Sequence, residues 1–117
     1  ITMTKIKNFD IFINESAYID AFKMLYDKSP QGLKDIINET KFIEQSEKWH
    51  PEGNVYIHTR LVTNRLHNCY NDINLDLAGL FHDLGKVKTT EWDEEKESWT
   101  AHGHEEQSYR ISELYQK

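Results

Sequence analysis

The chain has 117 residues, the length of one ordinary domain, and its 38% hydrophobic and 29% charged residues exclude a disordered polyelectrolyte. A formal net charge of −6 argues against a basic face for long nucleic acid, and the lone Cys69 rules out an intramolecular disulfide, which suits a reducing compartment. No apolar run approaches the roughly 20 residues that span a bilayer, and no signal-peptide pattern is visible, so the expected setting is the cytoplasm.

Residues 1–14, with Ile6, Phe9, Ile11, Phe12 and Ile13, read as an amino-terminal arm, either a short helix or an extended strand. Asn14 or Ser16 then caps a helix through Tyr18, Ile19, Phe22, Met24, Leu25 and Tyr26. Ser29-Pro30 supplies an N-cap and first-turn pair for a second helix carrying Leu33, Ile36 and Ile37. Phe42 and Ile43 open a short segment that ends near Trp49. His50-Pro51-Glu52-Gly53-Asn54 is a polar turn, with Asn54 as the next N-cap. The helix behind it places Val55, His58, Val62, Leu66 and Cys69 on one stripe.

A further helix runs from about Ile73 to Leu84, with Gly85 as a left-handed C-terminal residue and Lys86 complementing the helix dipole. Residues 88–101 read as a β-hairpin with the acidic, solvated tip Asp93-Glu94-Glu95-Lys96-Glu97. A last helix starts near Gly103, carries Tyr109, Ile111, Leu114 and Tyr115, and reaches Lys117 without a cap. No repeat or linker divides the chain, so residues 1–117 are expected to form one domain.

The helix ending at Leu84 holds the chemistry. Leu75, Leu77, Ala78, Gly79, Leu80, Phe81 and Leu84 cover most of its circumference, so it is expected to be buried. Yet it ends in His82-Asp83, two groups that are costly to bury unless paired or coordinated. His58 poses the same question between Val55 and Val62. Imidazole and carboxylate donors together suit Mn, Co, Ni, Zn or Fe. The residues alone leave a metal site and a set of satisfied core histidines both open.

Three segments, taken together, carry a resemblance. They are Trp49-His50-Pro51-Glu52-Gly53-Asn54-Val55-Tyr56-Ile57-His58-Thr59, Leu77-Ala78-Gly79-Leu80-Phe81-His82-Asp83-Leu84-Gly85-Lys86 and Ala101-His102-Gly103-His104-Glu105. In that order they resemble the HD superfamily, and most of all the HD domain attached to bacterial tRNA nucleotidyltransferases and poly(A) polymerases. The resemblance covers residues 49–110, the motif-bearing core. It implies an all-α helical bundle of about five core helices, to which the hairpin is a small addition. It also implies that His58, His82 and Asp83 hold one or two divalent ions. His104 is then the candidate ligand for a second ion, with Asp83 bridging, and His102 the candidate for the substrate side. Two exposed loop histidines are the plainer alternative for this pair.

Family members usually close the site with a further Asp on a later helix. No Asp follows Asp93 in this sequence. Either that ligand lies beyond Lys117, as the uncapped last helix suggests, or the site is incomplete and the domain is not catalytic.

Around the core ligands, Lys86 is a candidate phosphate contact, with dipole complementation as the alternative. His50 and Glu52 are candidates for the pocket mouth, with a turn role for both as the alternative. Arg65 is a candidate to neutralise phosphate charge, with pairing to Asp72 or Asp76 as the alternative. His67 is read as a surface residue. Trp49, Trp92 and Trp99 either stack a base or pack the core and hairpin.

The expected activity is metal-dependent phosphohydrolysis or phosphodiesterase action on a nucleotide, a 2′,3′-cyclic phosphate or another small phosphorylated molecule. The rivals are a non-catalytic module that binds a partner, and a di-iron oxygenase. A second, weaker resemblance rests on Ile13-Asn14-Glu15, which is similar to processing sites in leaders of T4-like phage proteins and would place the protein in a host cytoplasm.

Overall fold

The computed structural model describes residues 19–116. The expected arm at 1–14, the caps at Asn14 and Ser16, and the phage-like Ile13-Asn14-Glu15 lie outside them. The described chain is mostly helical, with one small antiparallel sheet.

Helix α1 spans Ala21–Lys28 and is capped by Asp20, whose carboxylate accepts from the Lys23 N–H at 3.1 Å. Helix α2 spans Gln31–Glu39 and passes into a 3₁₀ turn at Thr40–Phe42. Ser29 departs from its expected role. Its hydroxyl donates to the Leu25 carbonyl at 2.7 Å and closes α1, while Pro30 occupies the cap position of α2 without a side-chain bond. With only two residues between the helices, Ser29 can satisfy an end of one or the other, and the orphan carbonyl of α1 takes it.

Helix α3 spans Val55–Tyr70, and Asn54 caps it by accepting from the Ile57 N–H at 2.9 Å, as the sequence indicated. Of the expected stripe Val55 is buried, His58, Val62 and Leu66 are half-buried and Cys69 is exposed, while the other buried residues are Thr59, Thr63 and Asn64. Asn64 is buried because it has work to do there. Its side-chain oxygen accepts from the Phe22 N–H at 2.8 Å, and its amide donates to Asp20 at 3.0 Å.

Helix α4 spans Ile73–Phe81, capped by Asp72, and buries Asp76, Gly79, Leu80 and Phe81 against α3. A Cβ on Gly79 would lie 3.2 Å from the Thr63 Cα, so the missing side chain is what brings these helices together. One oxygen of Asp76, Oδ2, is paired with His67 Nδ1 at 2.8 Å. This corrects the surface reading of His67.

Regular helix ends at Phe81, three residues sooner than expected, and continues as tight turns through Gly85. The expected left-handed Gly85 is also corrected, since its φ is −62°. Helix α5 follows at Lys86–Thr89, then strands β1 at Thr90–Asp93 and β2 at Ser98–Ala101, and finally helix α6 at His104–Tyr115. The strands pair with Trp92 opposite Trp99. At the tip, Asp93 accepts from the N–H groups of Glu95 and Lys96.

Gly85 serves close approach rather than a turn. A Cβ there would lie 2.5 Å from the Ser108 nitrogen and 2.8 Å from the Gln107 Cβ, so only glycine lets α6 seat against this segment. The Gly85 N–H donates to the Ser108 hydroxyl at 2.8 Å. The hydrophobic core gathers Phe22, Leu33, Ile37, Leu80, Phe81, Leu84 and Ile111. No helix among the described residues is long and apolar enough to cross a membrane.

Candidate metal centre

Asp83 lies at the end of α4, 4% exposed, between α3 and α6. Its Oδ2 is 3.1 Å from the Nε2 of His82 and 3.6 Å from the Nε2 of His58. Its Oδ1 is 3.2 Å from the Nε2 of His104. Residues from three separate segments thus meet at one carboxylate, and the two oxygens face different imidazoles.

Each of these imidazoles is held by its other nitrogen. His82 Nδ1 is 2.6 Å from the Gly79 carbonyl oxygen, and His104 Nδ1 is 3.0 Å from the Ala101 carbonyl oxygen. His58 Nδ1 is 2.6 Å from Glu52 Oε2, which also lies 3.3 Å from His50 Nδ1. With Nδ1–H donated to an oxygen, Nε2 is the atom that faces Asp83: protonated it donates to the carboxylate, and deprotonated it offers its lone pair to an ion.

Burial pushes the Asp83 carboxyl up, but the hydrogen bond and charge of His82, with Lys86 and His104, outweigh it and hold the group well below the usual carboxylate range. Burial pushes the His82 imidazole down, and Asp83 and the Gly79 carbonyl reverse this to leave it raised. For His58 burial prevails over Glu52 and Asp83, and the imidazole is lowered. His82 has the closer contact with the carboxylate than His58, at 3.1 against 3.6 Å, and gains more from its charge.

This donor set fits a divalent ion. Ligand atoms about 2.1 Å from an ion lie no more than about 4.2 Å apart, and the separations from Asp83 fall within that limit. His58, His82 and Asp83 form one group of mutually close donors, and His50, Glu52 and His58 form another.

The remaining candidates divide. Lys86 is 8% exposed, donates to Gln45 Oε1 at 2.8 Å and stands 3.4 Å from Asp83 Oδ2. A cleft of about 220 Å³ opens beside it and is lined in part by His50, Lys86 and His104. His102 is exposed in the turn before α6 and does not line this cleft. Arg65 is exposed on α3, two turns beyond His58, or roughly 10 Å along the axis.

Two residues escaped the sequence reading. Glu52 had a turn or pocket-mouth role in view, yet it is the partner that orients His58, and its place in the turn just ahead of the helix that carries His58 was the only hint. Gln45 anchors Lys86 from a segment with no local signal at all.

Half-buried imidazoles gathered on a buried carboxylate in a helical bundle define a candidate metal-binding domain. The sequence matches the HD domain model over residues 55–117, and the chain belongs to the HD family, whose members bind divalent metals. It is also 30% identical over 119 residues to a Multifunctional CCA protein of Shewanella frigidimarina (strain NCIMB 400). That alignment covers 87% of this chain and 28% of the relative, so the chain spans little more than a quarter of that protein's length. No solved structure matches the chain.

Proposed function

We propose that this domain hydrolyses a small phosphate ester, with a nucleotide or 2′,3′-cyclic nucleotide as the substrate class. The observation that carries the reading is the convergence of His58, His82 and His104 on Asp83 with Lys86 alongside. His58, His82 and Asp83 would hold one divalent ion, and Asp83 Oδ1 with His104 would take part in a second. When bound, such an ion supplies Lewis acidity toward a phosphoryl oxygen and acidifies water.

The chain's own residues do the rest. Lys86 places a fixed positive charge at the cleft wall, where it opposes charge that develops on phosphate. Gln45 keeps the ammonium in place through the bond it accepts. Glu52 and the Gly79 and Ala101 carbonyls hold the imidazoles in register.

A non-catalytic metal-binding module is the second reading. It is favoured by Asp93, which is engaged at the hairpin tip and joins no donor group. Metal content and turnover separate the two. Protein supplemented with Mn, Co, Ni, Zn or Fe is expected to hold metal and to hydrolyse nucleoside 2′,3′-cyclic phosphates or monophosphates. His82→Ala and Asp83→Ala are expected to lose both properties. Metal bound without turnover would favour the module, and no metal at all would remove both readings.

A further inference from the structure

We propose that the cleft beside Lys86 continues into a nucleobase subsite formed by Trp49 and Trp99. The site takes one nucleoside, with its base between segment 44–49 and the hairpin and its phosphate toward Asp83. This rests on the phosphohydrolase reading and specifies its substrate.

The tryptophans are not core residues. Trp49 is 72% exposed, Trp92 45% and Trp99 37%. Trp92 and Trp99 meet edge to face at 5.3 Å across the hairpin, which positions the Trp99 ring. Trp49 and Trp99 line the small cleft together with Lys86, His50 and His104. Both also line a larger groove of about 740 Å³, which shares Gln45 and Thr100 with the cleft. The cleft, which reaches His50 and His104, and the groove beyond it thus share both indoles as walls.

Large exposed aromatics beside a cleft fit a flat ligand, because indole offers a wide π surface with few rotamers to freeze. The charge pattern selects the ligand further. Cationic and ligating groups cluster at the Asp83 end. The groove beyond them carries Glu47 and Glu97 against Lys48 and Lys96, and Glu44 lines both groove and cleft. That balance gives no electrostatic track for a second or third phosphate, as a strand-binding groove requires. One anionic end and one neutral, planar end describe a single nucleotide.

Calorimetry with adenosine and ribose tests this without any hydrolysis. Metal-supplemented protein is expected to bind adenosine saturably and to show no comparable binding of ribose. Trp49→Ala and Trp99→Ala should each weaken adenosine on the order of tenfold, the scale of one base–aromatic stack. Trp49→Phe and Trp99→Phe should restore most of the loss. Trp49 is exposed enough that its variant is expected to keep the parent circular dichroism, which covers the case in which Trp99→Ala unfolds the hairpin.

No adenosine binding, or equal binding by the Trp49→Ala protein, overturns the subsite. Hydrolysis of AMP and ribose 5-phosphate is measured in parallel. Equal turnover of both without adenosine binding removes the subsite and keeps the phosphohydrolase. Tryptophan-dependent adenosine binding without turnover removes the phosphohydrolase and keeps the subsite.

Discussion

Asp83 carries the site because its two oxygens are divided among three imidazoles and an ammonium. A buried carboxylate with a single partner would be a structural ion pair. One with four donors around it and a depressed pKa is prepared to stay charged while its partners exchange. Glu52 acts one step away, through His58. Glu52→Ala is expected to leave the helices intact and to lower metal affinity about 10- to 100-fold, the usual range for a lost outer carboxylate. Competition against a chromogenic chelator measures it, and unchanged affinity would return Glu52 to a turn role.

Whole elements depend on a few contacts between them. A methyl group at position 85 would meet the backbone of α6, which has no flexible end to yield. Gly85→Ala is therefore expected to cost at least about 1–3 kcal/mol in urea unfolding, the scale of overpacking, and to move His104 away from Asp83.

Helices α3 and α4 are joined by the His67–Asp76 pair. His67→Ala strands a carboxylate that is 3% exposed, at a cost of about 2–3 kcal/mol. A loss below about 0.5 kcal/mol would show that water replaces the imidazole freely.

Asp20 ties α1 to α3. Burial pushes its carboxyl up, but hydrogen bonds from Asn64, the Lys23 N–H and Arg60 outweigh that and leave it lowered. A lowered folded-state pKa gives stability that is present above the ordinary carboxylate value near about 4 and is lost as pH falls through the folded value. Asp20→Asn is expected to flatten the acid limb of the stability curve while keeping much of the helix cap. An acid limb equal to the parent's would place the titrating group elsewhere.

Across the whole molecule, the candidate ligands come from positions 58, 82, 83 and 104, so a bound ion would link α3, the end of α4 and α6. An ion that binds only the folded state stabilises by about 2.7 kcal/mol at one hundred times its dissociation constant. For a domain of this length that corresponds to a rise in Tm on the order of 10 °C. The rise is expected with the preferred metal, to reverse with EDTA and to be absent in His82→Ala. Comparing Mn, Co, Ni, Zn and Fe in one melting series identifies the preferred ion. A melting temperature indifferent to all five would count against a site that spans these segments.

The all-helical class, the Asn54 cap, the hairpin and the inward position of His82-Asp83 were legible in the sequence because each rests on local rules. Capping, period and the cost of burying charge act over a few residues. The ordered HPEGN, HDLGK and HGHE segments added the family. What the tertiary structure decided were the encounters between distant segments. His104 reaches Asp83 across 21 positions and Gln45 reaches Lys86 across 41, with no local pattern to announce either. The same reason explains the misread elements. Gly85 looked like a helix end because glycine commonly turns left-handed there, whereas α6 needs the space a Cβ would fill. His67 looked like a surface residue because its partner Asp76 belongs to the next helix. The inward His82-Asp83 pair follows from local rules, and the shell that makes those residues a site comes from packing.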